Sequence, residues 1–302
     1  MSAHRTQLAD GRWHFQHGPM DIVLGASGSP AVVARAHEDA WTRFSVILDE
    51  LVQELALLRR PVQGPCPLRG PIARRMWQAC QPYQSAFITP MAAVAGSVAQ
   101  ELIASYDHEG LTRAWINNGG DIALHLAPGE SARIGLYADI ARLDGHELRG
   151  GIRTDGQFKV SSWLPVRGVA TSGWRGRSFS MGIADSVTVL ARTASEADAA
   201  ATVIANAVDV PDARILRRPA CELKDDSDLG SLPVTVDVPA LDAAQVRRAL
   251  QAGLLRAQAL RAAGLIWSAV LVCQNQVIST DTSGFTALAP QPVSRQHGSV
   301  FA

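Results

Sequence analysis

Asp198 and Thr202 stand four residues apart in a stretch whose other members, Ala197, Ala199, Ala200, Ala201, Val203 and Ile204, are small and apolar. On a helix the two share a face. A lone carboxylate on an alanine-rich helix that should be buried calls for a partner. One carboxylate and one hydroxyl, joined by carbonyls from a nearby loop, form a donor set for a hard cation such as Mg²⁺, and Ca²⁺ takes the same oxygens. Two other readings are open: a solvated helix face, and a carboxylate that serves a helix N-terminus through the macrodipole.

Two small-residue turns offer a place for an anion. Thr171-Ser172-Gly173 follows the apolar Gly168-Val169-Ala170 and is followed by Arg175 and Arg177. Hydroxyls and bare N–H groups beside guanidinium charge make a phosphate cradle, although a surface loop with solvated arginines has the same composition. Asn117-Asn118-Gly119-Gly120-Asp121 lies between two strand-like segments. Its glycines permit positive φ and bring backbone N–H groups near a ligand, with Asn117 and Asp121 adding polar side chains. An ordinary hairpin turn is the commoner use of that composition.

Other arrangements say less. His125 and His146 lack the spacing of a metal pair. Ser172 has no base near it in sequence, as a Ser/His/Asp hydrolase needs. Gly25 to Gly28 is not followed by the Gly-Lys-Ser/Thr of a phosphate-binding loop. Cys66, Cys80, Cys221 and Cys273 include no Cys-x-x-Cys pair, which points to free thiols rather than a disulfide framework or a zinc site.

The elements that must position these residues can be read from periodicity. Ser29-Pro30 opens a helix whose buried face is Trp41, Phe44, Ile47, Leu48, Leu51, Leu55 and Leu58, and Pro61 ends it. A Pro/Gly connector over 61–71 leads to a short helix over 71–81. Thr89-Pro90 then starts a helix over 91–106, whose Ala92, Ala93, Ala95, Gly96 and Ser97 let another backbone approach closely. Strands are expected at 114–116, 122–126, 133–137, 157–160 and 186–191. Thr193-x-x-Glu196 matches a capping box and opens a helix over 194–208. A strand at 234–238, a helix over 242–263 and a hairpin of 266–273 with 277–280 follow, and the tail beyond 289 is expected to be loose. The sum is an α+β (mixed α/β) chain with helices on a largely antiparallel sheet. It reads as a single domain over 1–302 with room for two subdomains.

Composition narrows the partners. With 28 Lys+Arg against 28 Asp+Glu over 302 residues, no basic surplus exists for nucleic acid. At 47% hydrophobic residues the chain can fill a core. The longest nearly uncharged apolar stretch, 88–99, is interrupted by Gly96 and Ser97 and falls short of the roughly 20 residues of a membrane span. The first thirty residues do not read as a signal peptide, so the expectation is a cytoplasmic protein. A homodimer is expected as the commonest assembly for such a chain.

Four stretches, in this order, resemble the ApbE family, the FAD:protein FMN transferases, and within it a cytoplasmic branch. They are Asn117-x-Gly119-Gly120-Asp121-Ile122, Val169-Ala170-Thr171-Ser172-Gly173, Ser186-Val187-Thr188-Val189 and Glu196-Ala197-Asp198-Ala199-x-x-Thr202. Order and spacing agree over about residues 92–208. The resemblance implies an α+β fold around a flavin-binding cleft. It further implies Mg²⁺ held partly by Asp198 and Thr202 near the FAD pyrophosphate. Asn117, Gly119, Gly120, Asp121, Thr171, Ser172 and Gly173 would surround the ligand. In the transferases the metal polarises the pyrophosphate and FMN passes to a threonine hydroxyl of an acceptor protein. The chain departs from the family twice. Where the family has His-x-x-Asp-Pro-x-Thr-Gly, residues 177–185 contain neither histidine nor proline, and Ala95-Gly96 stands where the family has Lys-Gly. Asp185 is then the residue left for a catalytic base or metal role. Two functions stay open: a Mg²⁺-dependent FMN or phosphoryl transferase with a flavin-acceptor partner, and a non-catalytic module binding FMN, FAD or another anionic metabolite, or assisting redox-enzyme assembly.

Overall fold

Most strands among the described residues join one sheet. The computed structural model describes residues 2–136, 156–281 and 299–301. Nine strands lie in the order β1(His4–Gln7), β2(Trp13–His17), β3(Met20–Gly28), β4(Leu111–Asn118), β5(Asp121–Leu126), β8(Gly168–Ser172), β9(Ser186–Ala191), β12(Ser268–Cys273) and β13(Gln276–Ser279). Every neighbouring pair among them is antiparallel. Among the described residues two smaller sheets add to the β structure. β6(Ser131–Leu136) pairs antiparallel with β7(Gly156–Ser161) and parallel with β14(Ser299–Phe301), and β10(Leu216–Pro219) pairs with β11(Pro233–Asp237).

Helices cover one face of the large sheet. α1(Pro30–Gln53) and α3(Val94–Ile103) close a core with β2, β3 and β4 through Phe15, Ile22, Leu24, Phe44, Val98 and Ile116. α4(Ala194–Ala207) and α5(Ala243–Ala262) close a second core over β8, β9 and β12. α2(Pro71–Cys80) contributes to both, its Met76 to the first and its Cys80 to the second. The opposite face is covered by β6 and β7, which bury Ile134, Phe158 and Val160 against Trp115, Ile122, Leu124 and Val169. The central strands therefore have both faces buried, and the alternation of side chains decides which core each residue serves.

Several expected elements take a different form. The helix expected over 91–106 is divided: a 3₁₀ turn covers Pro90–Ala93 and the α-helix begins afresh at Val94, because Ala93 (φ −129°, ψ 19°) leaves the helical region. Ser29 makes no side-chain cap bond, and α1 relies on Pro30. Thr193 accepts the Glu196 N–H as expected, but the Glu196 carboxylate turns to Arg192 at 3.1 Å instead of completing a box. The terminal hairpin forms as β12–β13 around Gln274 (φ 43°) and Asn275 (φ 65°). All four cysteines are free. Among the described residues no helix is long and apolar enough to cross a membrane. Tyr137, His146 and the tail from 289 to 298 lie outside the described residues.

Candidate functional site

The Asn117–Asp121 segment is a two-residue hairpin. Asn118 pairs with Asp121, and Gly119 (φ 66°) and Gly120 (φ 111°) make the turn with both φ values positive, as a tight hairpin requires. Alternation then sorts its polar groups onto opposite faces. Ala114 and Ile116 join the core under α1 and α3, so Asn118 points to the helices as well, and its Nδ2 donates to the Ala95 carbonyl at 3.2 Å. Asn117 takes the other face, and its Oδ1 accepts the Gly120 N–H at 2.8 Å. Of the two asparagines, Asn118 is the one on the helix side, a residue that sequence reasoning passed over. On β5, Ala123 packs toward the helices and Ile122 and Leu124 away from them, which sets Asp121 on the helix side too.

The same alternation divides the Thr-Ser-Gly stretch. Thr171 points away from the helices with Val169, and its hydroxyl is 2.9 Å from that of Thr188, its partner on β9. What Thr171 offers the helix side is its backbone N–H, which donates to Asp121 Oδ1 at 3.2 Å. Ser172 follows Ala170 on the helix side. Gly173 is bare because a Cβ there would fall 2.4 Å from the Asp185 carbonyl oxygen.

Asp198 meets this turn from α4. Gly96 lets α3 and α4 cross closely: a Cβ on it would lie 2.3 Å from the Ala194 carbonyl oxygen and 2.8 Å from Asp198 Cβ. The Gly96 N–H donates to Asp198 Oδ2 at 2.9 Å, and the Ala95 N–H also favours the ionised carboxyl. The break at Ala93 is what leaves these donors without an intrahelical acceptor. Asp198 thus serves a helix N-terminus, but that of α3 rather than its own. Thr202 sits one turn further along α4, partly buried.

Asp121 and Asp198 both lie on the helix side of the sheet, close enough for the charge of Asp198 to act on Asp121. Burial, reinforced by the charge of Asp198, pushes the Asp121 carboxyl well above its usual range, against the Thr171 N–H and the Arg177 guanidinium. Burial raises the Asp198 carboxyl to about 7, opposed by the N–H groups of Gly96 and Ala95. At neutral pH such a pair needs a shared proton or a cation. Among the described residues no three His, Cys, Asp or Glu side chains gather around a metal position.

Asp185 is placed differently. Its Oδ2 accepts the Gln274 N–H at 2.5 Å, and its Oδ1 accepts from Trp174 Nε1 at 3.3 Å and lies 3.4 Å from Arg175 Nε. Arg175 stacks on the Trp174 ring, 4.9 Å from its centroid. This carboxylate pins the β12–β13 turn. Arg177 instead reaches the other turn, donating to the Pro19 carbonyl at 2.8 Å, with Nη1 3.0 Å from the point a Gly119 Cβ would occupy. His125 lies 3.6 Å from Asp107.

The arrangement is that of an α+β protein with a carboxylate pair and backbone donors between an antiparallel sheet and two crossing helices. A family model described as AbpE bacteria matches residues 5–279, and the chain belongs to that family, as its ApbE-like motifs lead one to expect. A UPF0280 protein of Methanothermobacter thermautotrophicus is 42% identical over 144 residues, which span 47% of this chain and 51% of the relative. Another UPF0280 protein, from Methanothrix thermoacetophila, is 32% identical over 196 residues, 61% of this chain and 75% of the relative. For the first two such relatives the match covers about half of their length. Among solved structures, apo flavinyl transferase ApbE of Pseudomonas stutzeri aligns with 11% identity over 93% of this chain and 94% of its own, at a TM-score of 0.42.

Proposed function

We propose that this chain binds a phosphate-bearing metabolite together with Mg²⁺ between the β4–β5 turn and the crossing of α3 with α4, and that the ligand is a flavin nucleotide, FAD or FMN. The observation that carries this reading is the placement of Asp121 and Asp198 within electrostatic reach of each other on the helix side of the sheet, each held by a backbone N–H donor. A divalent ion held there would neutralise charge on a phosphoryl group and polarise it. Asp121 and Asp198 would hold the ion, with the Thr202 hydroxyl one turn away on the same face. The Thr171 and Gly96 N–H groups fix the carboxylate orientations. The N-terminus of α3 adds positive potential on the anion side. The flavin assignment rests on the four ordered motifs shared with the ApbE family.

In the catalytic form of this reading, FMN or a phosphoryl group passes to an acceptor protein. A second form, binding without transfer, is favoured by a specific observation. Residues 177–185 carry no histidine to move a proton, and Asp185 is committed to Gln274 and Trp174. A thermal-melting panel with FAD, FMN, ADP and ATP, each with and without Mg²⁺, tests the shared part. A ligand at 100 times its Kd adds about 2.7 kcal/mol. The expected result is a Mg²⁺-dependent rise with FAD; no rise with any of the four would overturn the reading. Incubation with FAD, Mg²⁺ and a threonine-bearing acceptor then separates transfer from binding.

A further inference from the structure

The loop after β8 brings Arg177 back across the sheet to the β4–β5 turn. There the guanidinium occupies the space that Gly119 leaves by having no side chain, with Nη1 3.0 Å from where its Cβ would be. Nη2 is anchored on the Pro19 carbonyl at 2.8 Å. The next residue, Gly120, has nothing within 4 Å of its own Cβ position, so the turn is open on that side. A guanidinium has five N–H donors, and among the described residues Arg177 gives one of its hydrogen bonds to protein, leaving an exposed planar fork. Its charge also favours the ionised form of Asp121. Arg175, two residues earlier, is engaged elsewhere: it stacks on Trp174 and faces Asp185.

We propose that Arg177 is the phosphate-contacting residue of this cleft, moving its fork from the Pro19 carbonyl to the phosphate oxygens of the ligand and so setting the preference for phosphate-bearing ligands. This rests on the proposed site between Asp121 and Asp198. A planar fork matches two phosphate oxygens at once, which a lysine at the same place does not. Bound metal and guanidinium then hold the anion from two sides, and each weakens without it. With the anion absent, the two cations repel.

That opposition of signs gives the test. Calorimetric titrations of wild-type protein, Arg177→Gln, Arg177→Lys and Arg175→Gln use Mg²⁺ alone and preformed magnesium pyrophosphate as probes. Arg177→Gln is expected to weaken magnesium pyrophosphate roughly 10- to 100-fold, as loss of a charge-assisted bond does, while binding Mg²⁺ alone more tightly. Arg177→Lys should fall between, and Arg175→Gln should bind magnesium pyrophosphate within about threefold of wild type. If Arg177→Gln binds magnesium pyrophosphate as wild type does, or loses both probes in parallel as a structural prop for Pro19 would, the role of Arg177 is overturned. Wild-type protein that binds no magnesium pyrophosphate overturns the site reading itself, and this proposal with it.

Discussion

Asp198 and Asp185 flank the same sheet, yet their surroundings treat them oppositely. Asp185 has a cation, an indole N–H and a backbone N–H on its oxygens, all from nearby loops. Asp198 has backbone N–H groups and, instead of a cation, a second carboxylate in Asp121. A carboxylate that is fully compensated within the protein strengthens a corner of the fold. One whose compensation is incomplete costs stability, and that cost is recovered when a cation arrives.

The largest effect should come from breaking the crossing that creates the pair. Gly96→Ala places a methyl 2.3 Å from the Ala194 carbonyl oxygen and should destabilise by about 3 kcal/mol or more, measured by chemical denaturation. Asp185→Ala leaves the Gln274 N–H and Trp174 indole unpaired and should cost about 2 kcal/mol, with any Mg²⁺ response of the melting temperature intact.

Asp198→Asn should act in the other direction. The folded protein holds the Asp198 proton up to about pH 7, whereas an unfolded Asp releases it near 3.8. At this group the folded state therefore binds more protons between these values, so Asp198 makes metal-free stability fall as pH rises from about 4 to 7 and adds no further change above. Asp198→Asn should remove the Asp198 share of that fall, on the order of 2 kcal/mol once screening of a partly exposed group is allowed for, leaving the share of the buried Asp121, and should abolish the Mg²⁺ response. Urea denaturation at pH 5 and pH 8, with a chelator present, checks the sign. A variant with an unchanged pH profile would place the proton elsewhere.

The smallest effects sort the two faces. Asn118→Ala loses its bond to the Ala95 carbonyl beside the pair and should cost about 1 kcal/mol while weakening ligand binding. Thr171→Val loses the Thr188 hydroxyl contact and should cost about 0.5–1 kcal/mol with ligand binding unaffected. Equal effects of both variants on binding would break the assignment of faces.

Much of this was legible in the residues because it depends on local patterns. Helix-period apolar residues gave α1, the Thr193 cap gave the start of α4, and the Asn-Gly-Gly-Asp turn gave the β4–β5 hairpin. The pairing of Asp198 with a helix N-terminus was also foreseeable from its alanine-rich setting, but which helix was not. The break at Ala93 lies in an unremarkable Ala-Ala-Val run, and it is tertiary contact at Gly96 that makes it useful. That Asn118 rather than Asn117 lies on the helix side was not readable, since a period of two sends neighbours to opposite faces and the face of β4 is fixed by distant helices. The roles of Arg177 and Asp185 depend on loops reaching Pro19 and Gln274, contacts that spacing along the chain does not encode.

The central claim is that Asp121 and Asp198 form a cation site used together with phosphate. Its most direct test is calorimetric titration of FAD into wild-type protein and into Asp198→Asn at pH 8, with and without Mg²⁺. The account predicts that Mg²⁺ tightens FAD binding to wild type at least about tenfold, equivalent to 1.4 kcal/mol, and that the variant shows no Mg²⁺ dependence. Equal FAD affinity in both proteins, with the same response to Mg²⁺, would contradict it.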